Sequence, residues 1–236
     1  MKKIAIIAAM DEEVNEIKNI MTDIKVNTIY ELNILEGNIN YKECILLKCE
    51  VGKVNAARAT QILIDNYDIE YVVNVGSAGS GNNNLNIGDI VVGRTLLQHD
   101  FDITAFGHKK GYISNVGESI QSDSKLINKF KEIINKTSNN EYNIKIGTIA
   151  SGDIFCNSIK MKEKINNKFN ADAIEMEGAA IAQVCYLDKV PFIVIRSISD
   201  TPNGSNEITF EEYLKLASKR CASILNDFLT LNTWFF

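Results

Sequence analysis

Two carboxylates stand two residues apart, Glu175 and Glu177, in the run AIEMEGAAIA (residues 173–182), which otherwise reads as buried core. A lone carboxylate is rarely fully buried unless something pairs with it. In a strand, alternation puts both on one face and Met176 on the other. Either they are exposed there or they do chemistry, and acids in different surroundings can take opposite proton roles.

Other polar groups sit where apolar runs end. MDEEV places Asp11, Glu12 and Glu13 at a helix start, where acids also simply suit the positive end of the helix dipole. Glu13, a turn inside, can lean back over the strand end. RSISD closes an apolar strand, with Arg196, Ile198 and Asp200 on one face and Ser197 and Ser199 on the other. Asp200 either opens a turn into TPNGS or donates a proton at a pocket rim. Arg196 needs a partner if buried, and Glu175 on a neighbouring strand end is a fitting one. NVGSAGSGNN, which contains Ser77, predicts a glycine-rich turn that either only turns the chain or lets backbone N–H groups approach a ligand closely. It is neither G-x-G-x-x-G nor a P-loop, and without Arg or Lys beside it, it makes a poor phosphate cradle. SGDIFCN presents Phe155 and Cys156; Phe155 is either core or a face that stacks on a planar base. His99 and His108 flank DFDITAFG with no Cys or Glu at ligand spacing, and read as non-metal.

Positioning these groups falls to strands and helices in alternation. Apolar, β-branched runs at Ile4–Ala8, Cys44–Leu47, Tyr71–Val75, Ile90–Val92, Ile144–Ile149 and Phe192–Ile195 predict strands. Helical patterns cover Glu12–Met21, Val54–Asn66, Lys160–Phe169, Gly178–Leu187 and Phe210–Leu229. Two short strands near residues 26–50 read as a meander, so the sheet is expected to be mixed. The result is a single layered α/β domain over residues 1–236, with no linker and no repeat. In such folds the site gathers at the carboxyl ends of the strands. Five of those ends carry AMDEEV, GSAGSG, SGDIFCN, EMEG and RSISDTPNGS. If they converge, they form a polar pocket in an apolar wall.

Bulk properties narrow the class. With 236 residues and 45% hydrophobic content, the chain suits one domain with a sizeable core. A net charge of -5 with no basic block argues against a nucleic-acid surface. The start, MKKIAIIAAM, imitates a signal peptide but runs into DEEV without a cleavage site, and no apolar run is long enough to span a membrane. Five scattered cysteines (44, 49, 156, 185 and 221) with no C-x-x-C read as reduced thiols in the cytoplasm.

Taken in order from residue 4 to residue 214, IAIIAAMDEEV, VGKVNAA, VNVGSAGS, IGDIVVG, DITAFG, SGDIFCN, IEMEGAAIA, VPFIVIRSISD and TFEEYL form one pattern. The chain resembles the 5′-methylthioadenosine/S-adenosylhomocysteine nucleosidases of the nucleoside phosphorylase superfamily. The resemblance implies a three-layer α/β/α fold with a central mixed, partly closed β-sheet. It also implies hydrolysis of the N-glycosidic bond of 5′-thio-adenosine nucleosides, with neither metal nor cofactor. By the same resemblance Glu13 activates water and Asp200 protonates purine N7. Met176 and Glu177 contact the ribose, Phe155 stacks on the base, and the backbone at Cys156 reads the adenine edge. Ser77, Arg196 and Glu175 form the polar set around the water and Glu177; Ser199 joins the substrate-binding residues, and Phe210 walls the pocket. Ile103 and Phe106 reach into the 5′-thio pocket of a partner subunit, so a homodimer is implied.

Three rival readings remain at this stage. A purine nucleoside phosphorylase on the same fold would need cationic donors for phosphate, and none stands near Met10–Glu13 or Asn74. A non-catalytic nucleoside-binding relative would have lost some of these groups. A dinucleotide-dependent oxidoreductase would need the fingerprint turn that is missing.

Overall fold

The computed structural model describes residues 2–136, 141–200 and 210–231. Its elements run β1 (Lys3–Ala8), α1 (Asp11–Lys18), β2 (Thr22–Ile29), β3 (Leu32–Ile39), β4 (Lys42–Lys48), α2 (Lys53–Asn66), β5 (Ile69–Ser80) and β6 (Ile90–Gln98). There follow β7 (Ile120–Gln121), α3 (Ser124–Lys136), β8 (Ile144–Ser151), α4 (Ile159–Phe169), β9 (Ala173–Glu175), α5 (Gly178–Leu187), β10 (Phe192–Asp200) and α6 (Phe210–Thr230).

Alternation within the strands builds two apolar layers, because successive side chains leave a strand on opposite faces. In β1, Ala5 and Ile7 pack with Ala56, Ala59 and Leu63 of α2 and with Ala179–Ala182 and Cys185 of α5. Ile4, Ile6 and Ala8 face the other way, onto Ile17 of α1, Leu126 and Phe130 of α3, and Ile224 and Phe228 of α6. Helices therefore cover both faces of the sheet, as the three-layer expectation has it. The helix α3 is absent from the sequence reading, although Leu126, Phe130 and Ile133 carry helical spacing and are buried.

The strand order is β10-β6-β8-β9-β5-β1-β4-β3-β2, with β10 also pairing β5. The sheet thus closes on itself through β5, β10, β6, β8 and β9, and the remaining strands extend it as an open wing. Pairing is mixed: β1 runs parallel to β4 and β5, while β2, β3 and β4 form an antiparallel meander. That meander has three long strands where the sequence suggested two short ones.

A second correction decides where the site sits. The sequence reading ends a strand at Val75 and makes GSAGSG a turn. In the structure β5 continues through Ser80, because it changes neighbours rather than stopping. Its early residues pair with β1 as far as Asn74, and Gly79 and Ser80 pair with β9. Between those two pairings one edge of β5 has lost β1 and not yet met β9. A strand edge without a neighbour must find other partners for its backbone.

Candidate active site

Glu13 fills that gap. It sits at the third position of α1, and its carboxylate leans back over the end of β1. Oε1 accepts from the Ser77 backbone N–H at 2.9 Å and from Ser77 Oγ at 3.3 Å. Oε2 accepts from the Ala9 and Met10 N–H groups at 3.0 and 3.1 Å. The same bonds tie down donors at the helix start that have no partner within α1. The approach requires glycine at 76, where a Cβ would come within 2.9 Å of Glu13 Oε1 and 2.6 Å of Arg196 Nη1.

The two carboxylates of AIEMEG are both buried, at 6% exposure each. They do not share a strand face, because β9 ends at Glu175 and Glu177 is the N-cap of α5. The backbone turns between them, and both carboxylates still converge on Arg196. Arg196 donates through Nε to Glu175 Oε2 at 3.0 Å, and its Nη2 makes a closer contact with the same oxygen. Nη2 also donates to Asn74 Oδ1 at 2.6 Å and lies 3.6 Å from Glu177 Oε2. Glu175 accepts in addition from the Glu177 and Gly178 N–H groups at 3.1 and 2.7 Å and from Ser151 Oγ. Ser151 Oγ takes the Ala179 N–H at 2.7 Å, so the first turn of α5 is capped by these two side chains.

Electrostatics separate the two acids. Burial alone would raise the pKa of Glu175, but the Arg196 charge and the Ser151 hydrogen bond hold it below the ordinary carboxylate value. For Glu177, burial and the Glu175 carboxylate beside it push the pKa up to about 7. Its Oε1 meanwhile accepts the Gly52 N–H at 3.0 Å. Gly52 has φ +104°, a conformation that favours glycine.

The raised value gives a sign for stability. Between 4.5 and about 7 the folded protein holds a proton on Glu177 that the unfolded chain has lost. The Glu177 contribution is therefore largest below that window and declines as pH rises through it. Thermal midpoints of wild type and Glu177→Gln, compared from about pH 5 to about pH 8, are expected to diverge in favour of the variant as pH rises. Parallel curves would show that Glu177 titrates as in the unfolded chain.

Asp200 closes β10 on the far side of the cleft. The sequence reading puts Ser199 and Asp200 on opposite faces, yet both line the cleft. A register shift between Ile198 and Asp200 breaks the alternation there. Ser199 Oγ donates to Ala78 O at 3.3 Å, and Asp200 Oδ2 forms an ion pair with Lys162.

The cleft between these groups is lined by Met10, Glu13, Ser77, Phe155, Cys156, Met176, Glu177, Ser199 and Asp200, with Val51 and Ile154 at its apolar side. It holds about 780 Å³ counting its open mouth, room for a nucleoside. Among the described residues, none that lines the cleft is a lysine or arginine. Arg196 and Glu175 divide here: Glu175 touches the cleft, while Arg196 lies behind it at 1% exposure. Ile103 and Phe106, at a 3₁₀ turn over Thr104–Phe106, line no part of this cleft, and Phe106 is 80% exposed. The side chain of Phe210, residues 201–207 (TPNGSNE) and the end of the tail (232–236) lie outside the described residues. His99 is buried at 5% and its Nε2 has no hydrogen-bond partner among the described residues; His108 stacks on Tyr112.

Sequence reasoning missed several contributors. Asp153 takes the Lys53 N–H at 2.8 Å, and its own N–H goes to Asp100 Oδ2 at 2.9 Å, so it ties the Phe155 loop to the start of α2. Asn74, Ser151 and Gly52 hold Arg196, Glu175 and Glu177 as described. Gly52 alone had a signal, the glycine before a helix in VGKVNAA.

A polar cleft at a strand switch in a partly closed α/β sheet defines the class, and a family model described as the phosphorylase superfamily matches residues 3–230. A 5′-methylthioadenosine/S-adenosylhomocysteine nucleosidase of Staphylococcus haemolyticus is 40% identical over 227 residues, 96% of this chain and 98% of that protein. The crystal structure of a nucleosidase of the same name from Neisseria meningitidis, in complex with methylthio-immucillin-A, matches with TM-score 0.91 and 33% identity over 98% of this chain and 99% of that one. The native structure of futalosine hydrolase of Helicobacter pylori matches with TM-score 0.90 and 33% identity over 97% of each chain. The chain belongs to the phosphorylase superfamily and, within it, to the 5′-methylthioadenosine/S-adenosylhomocysteine nucleosidase family.

Proposed function

We propose that this protein hydrolyses the N-glycosidic bond of 5′-methylthioadenosine and S-adenosylhomocysteine, releasing adenine and the thio-ribose. The observation that carries the mechanism is the pair of acids in one cleft, Glu13 on the switch edge of β5 and Asp200 at the end of β10, with Glu177 in the same lining. Asp200 makes adenine a better leaving group by sharing a proton with N7. The sugar becomes oxocarbenium-like, and the surrounding carboxylates stabilise its positive charge. Glu177 takes the ribose hydroxyls beside Met176, with Phe155 against the base and the Cys156 backbone along its edge.

Glu13 then activates the attacking water. A carboxylate offers about four lone-pair sites, and four donors already occupy those of Glu13. The longest of the four contacts is Ser77 Oγ at 3.3 Å, so this hydroxyl is the partner a water replaces. Ser77 turned away can then hold the same water or a ribose oxygen.

Water rather than phosphate is the nucleophile. Phosphate would need cationic donors, and the described residues that line the cleft include none. Arg196 is committed to Glu175 and Asn74. The acting unit is the whole chain as one catalytic domain in a homodimer, with Ile103 and Phe106 completing the 5′-thio pocket of the partner. The exposure of Phe106 supports that placement. A cytoplasmic setting suits five free, buried cysteines; among the described residues no helix is long and apolar enough to cross a membrane.

Chromatography of products from methylthioadenosine, with and without phosphate, tests the reading. Equal amounts of free adenine and methylthioribose are expected in both. A sugar 1-phosphate formed only with phosphate would replace the hydrolase by a phosphorylase.

A further inference from the structure

One buried cation has no task in the mechanism above. Lys162 lies on α4 between exposed Lys160 and Lys164, yet it is only 4% exposed. Lysines are almost never buried to this degree without a partner. Its ion-pair partner among the described residues is Asp200, the group from which the reaction requires a proton. The surroundings are shaped for the pair. Gly79 leaves room for it, since a Cβ there would lie 3.0 Å from Asp200 Oδ1 and 3.4 Å from Lys162 Cε. Ser158 caps α4, its Oγ accepting the Met161 N–H at 3.3 Å, which fixes the helix turn from which Lys162 projects.

The arrangement poses a question of proton supply. Asp200 must donate to the purine, but in the free site it accepts an ammonium. We propose that Lys162 is a positioning residue for Asp200 and the source of the proton that Asp200 passes to N7. This rests on the hydrolase reading. As the C1′–N9 bond breaks, its electron pair moves into the purine, and the Asp200 carboxylate passes to N7 the proton it receives from the Lys162 ammonium in the same step. Water bonds to C1′ and gives its proton to Glu13. After adenine leaves, Glu13 releases that proton to solvent and the Lys162 amine takes one up, so the sum is nucleoside plus water. Lysine suits the role because its ammonium can give up a proton, whereas a guanidinium does not.

The test compares wild type, Lys162→Met and Lys162→Arg on two substrates. One is methylthioadenosine; the other is the p-nitrophenyl glycoside of 5-methylthioribose, whose leaving group departs without a proton. Lys162→Met is expected to lower kcat on methylthioadenosine by about 10²-fold, the order contributed by a proton donor. KM should change little, and the alkaline limb of kcat should move to lower pH. Turnover of the nitrophenyl glycoside should stay at the wild-type level. Lys162→Arg keeps the charge but not the transferable proton, and is expected not to restore kcat. Equal losses on both substrates, an unchanged pH profile, or full rescue by arginine would each overturn the proposal. Wild type supplies a check that needs no variant: its alkaline limb should be present with methylthioadenosine and absent with the glycoside. An alkaline limb of equal size on both substrates, with wild type active on each, would bring down the proposal and leave the hydrolase reading standing. Turnover of neither would instead bring down the hydrolase reading on which the proposal stands.

Discussion

Glu13→Gln is expected to lower turnover of methylthioadenosine by about 10²–10⁴-fold, the range for loss of a general base. The size of Gln is right, so the change isolates the proton-accepting function. Its amide oxygen can keep either Ser77 N–H or the Ala9 and Met10 pair, but its NH₂ must then face the other donors. One or more backbone N–H groups at the switch edge of β5 lose their acceptor, at a cost of about 1–3 kcal/mol. The variant should therefore fold, melt somewhat lower, and bind adenine nearly as well as wild type, because the base pocket lies on the Phe155 and Asp200 side. Calorimetric adenine titration together with single-turnover hydrolysis separates these effects. A variant that retained turnover within a few-fold would remove Glu13 as the base.

The division between what the sequence made legible and what it hid is one of range. Local pattern announces elements, so Ile4–Ala8, Val54–Asn66 and Gly178–Leu187 appear in the structure with boundaries shifted by a residue or less. Glu13 was legible because an acid one turn into a helix after a buried strand has few places to point. Partner exchange along β5 was not, because a strand's own residues do not encode when its neighbour ends; GSAGS looks like a turn and is a strand between two pairings. Glu175 and Glu177 stood out in the sequence as acids in an apolar run, but alternation assigned them one strand face, whereas a strand end and a helix cap bring them together. Lys162 shows the limit most clearly. In IKMKEKI it is one lysine of three on a polar helix, and only the distant end of β10 distinguishes it. The amphipathic helix α3 is a different case: its signal is in the sequence, in the spacing of Leu126, Phe130 and Ile133.

Arg196→Met is expected to cost about 3–5 kcal/mol of stability, because removing one partner of a buried ion pair leaves the other charge uncompensated. Methionine fills much of the space, so the loss is electrostatic before it is steric. Glu175 cannot simply become neutral without consequence: it also accepts the N–H groups of Glu177 and Gly178, at the start of α5, along with the Ser151 hydroxyl. Arg196→Lys should recover only part of the loss, since one ammonium cannot reproduce donation from Nε to Glu175 and from Nη2 to Asn74. The pH dependence identifies the cause. Glu175 is held below 4.5 in the folded protein, so its pairing contributes stability above that value and loses it as pH falls through the folded pKa. Without Arg196, burial dominates and Glu175 takes up a proton at higher pH. Urea denaturation should then show a gap between wild type and Arg196→Met that is widest near about pH 8 and narrows toward about pH 5. A gap of constant width would mean that Arg196 serves Glu175 by packing rather than by charge.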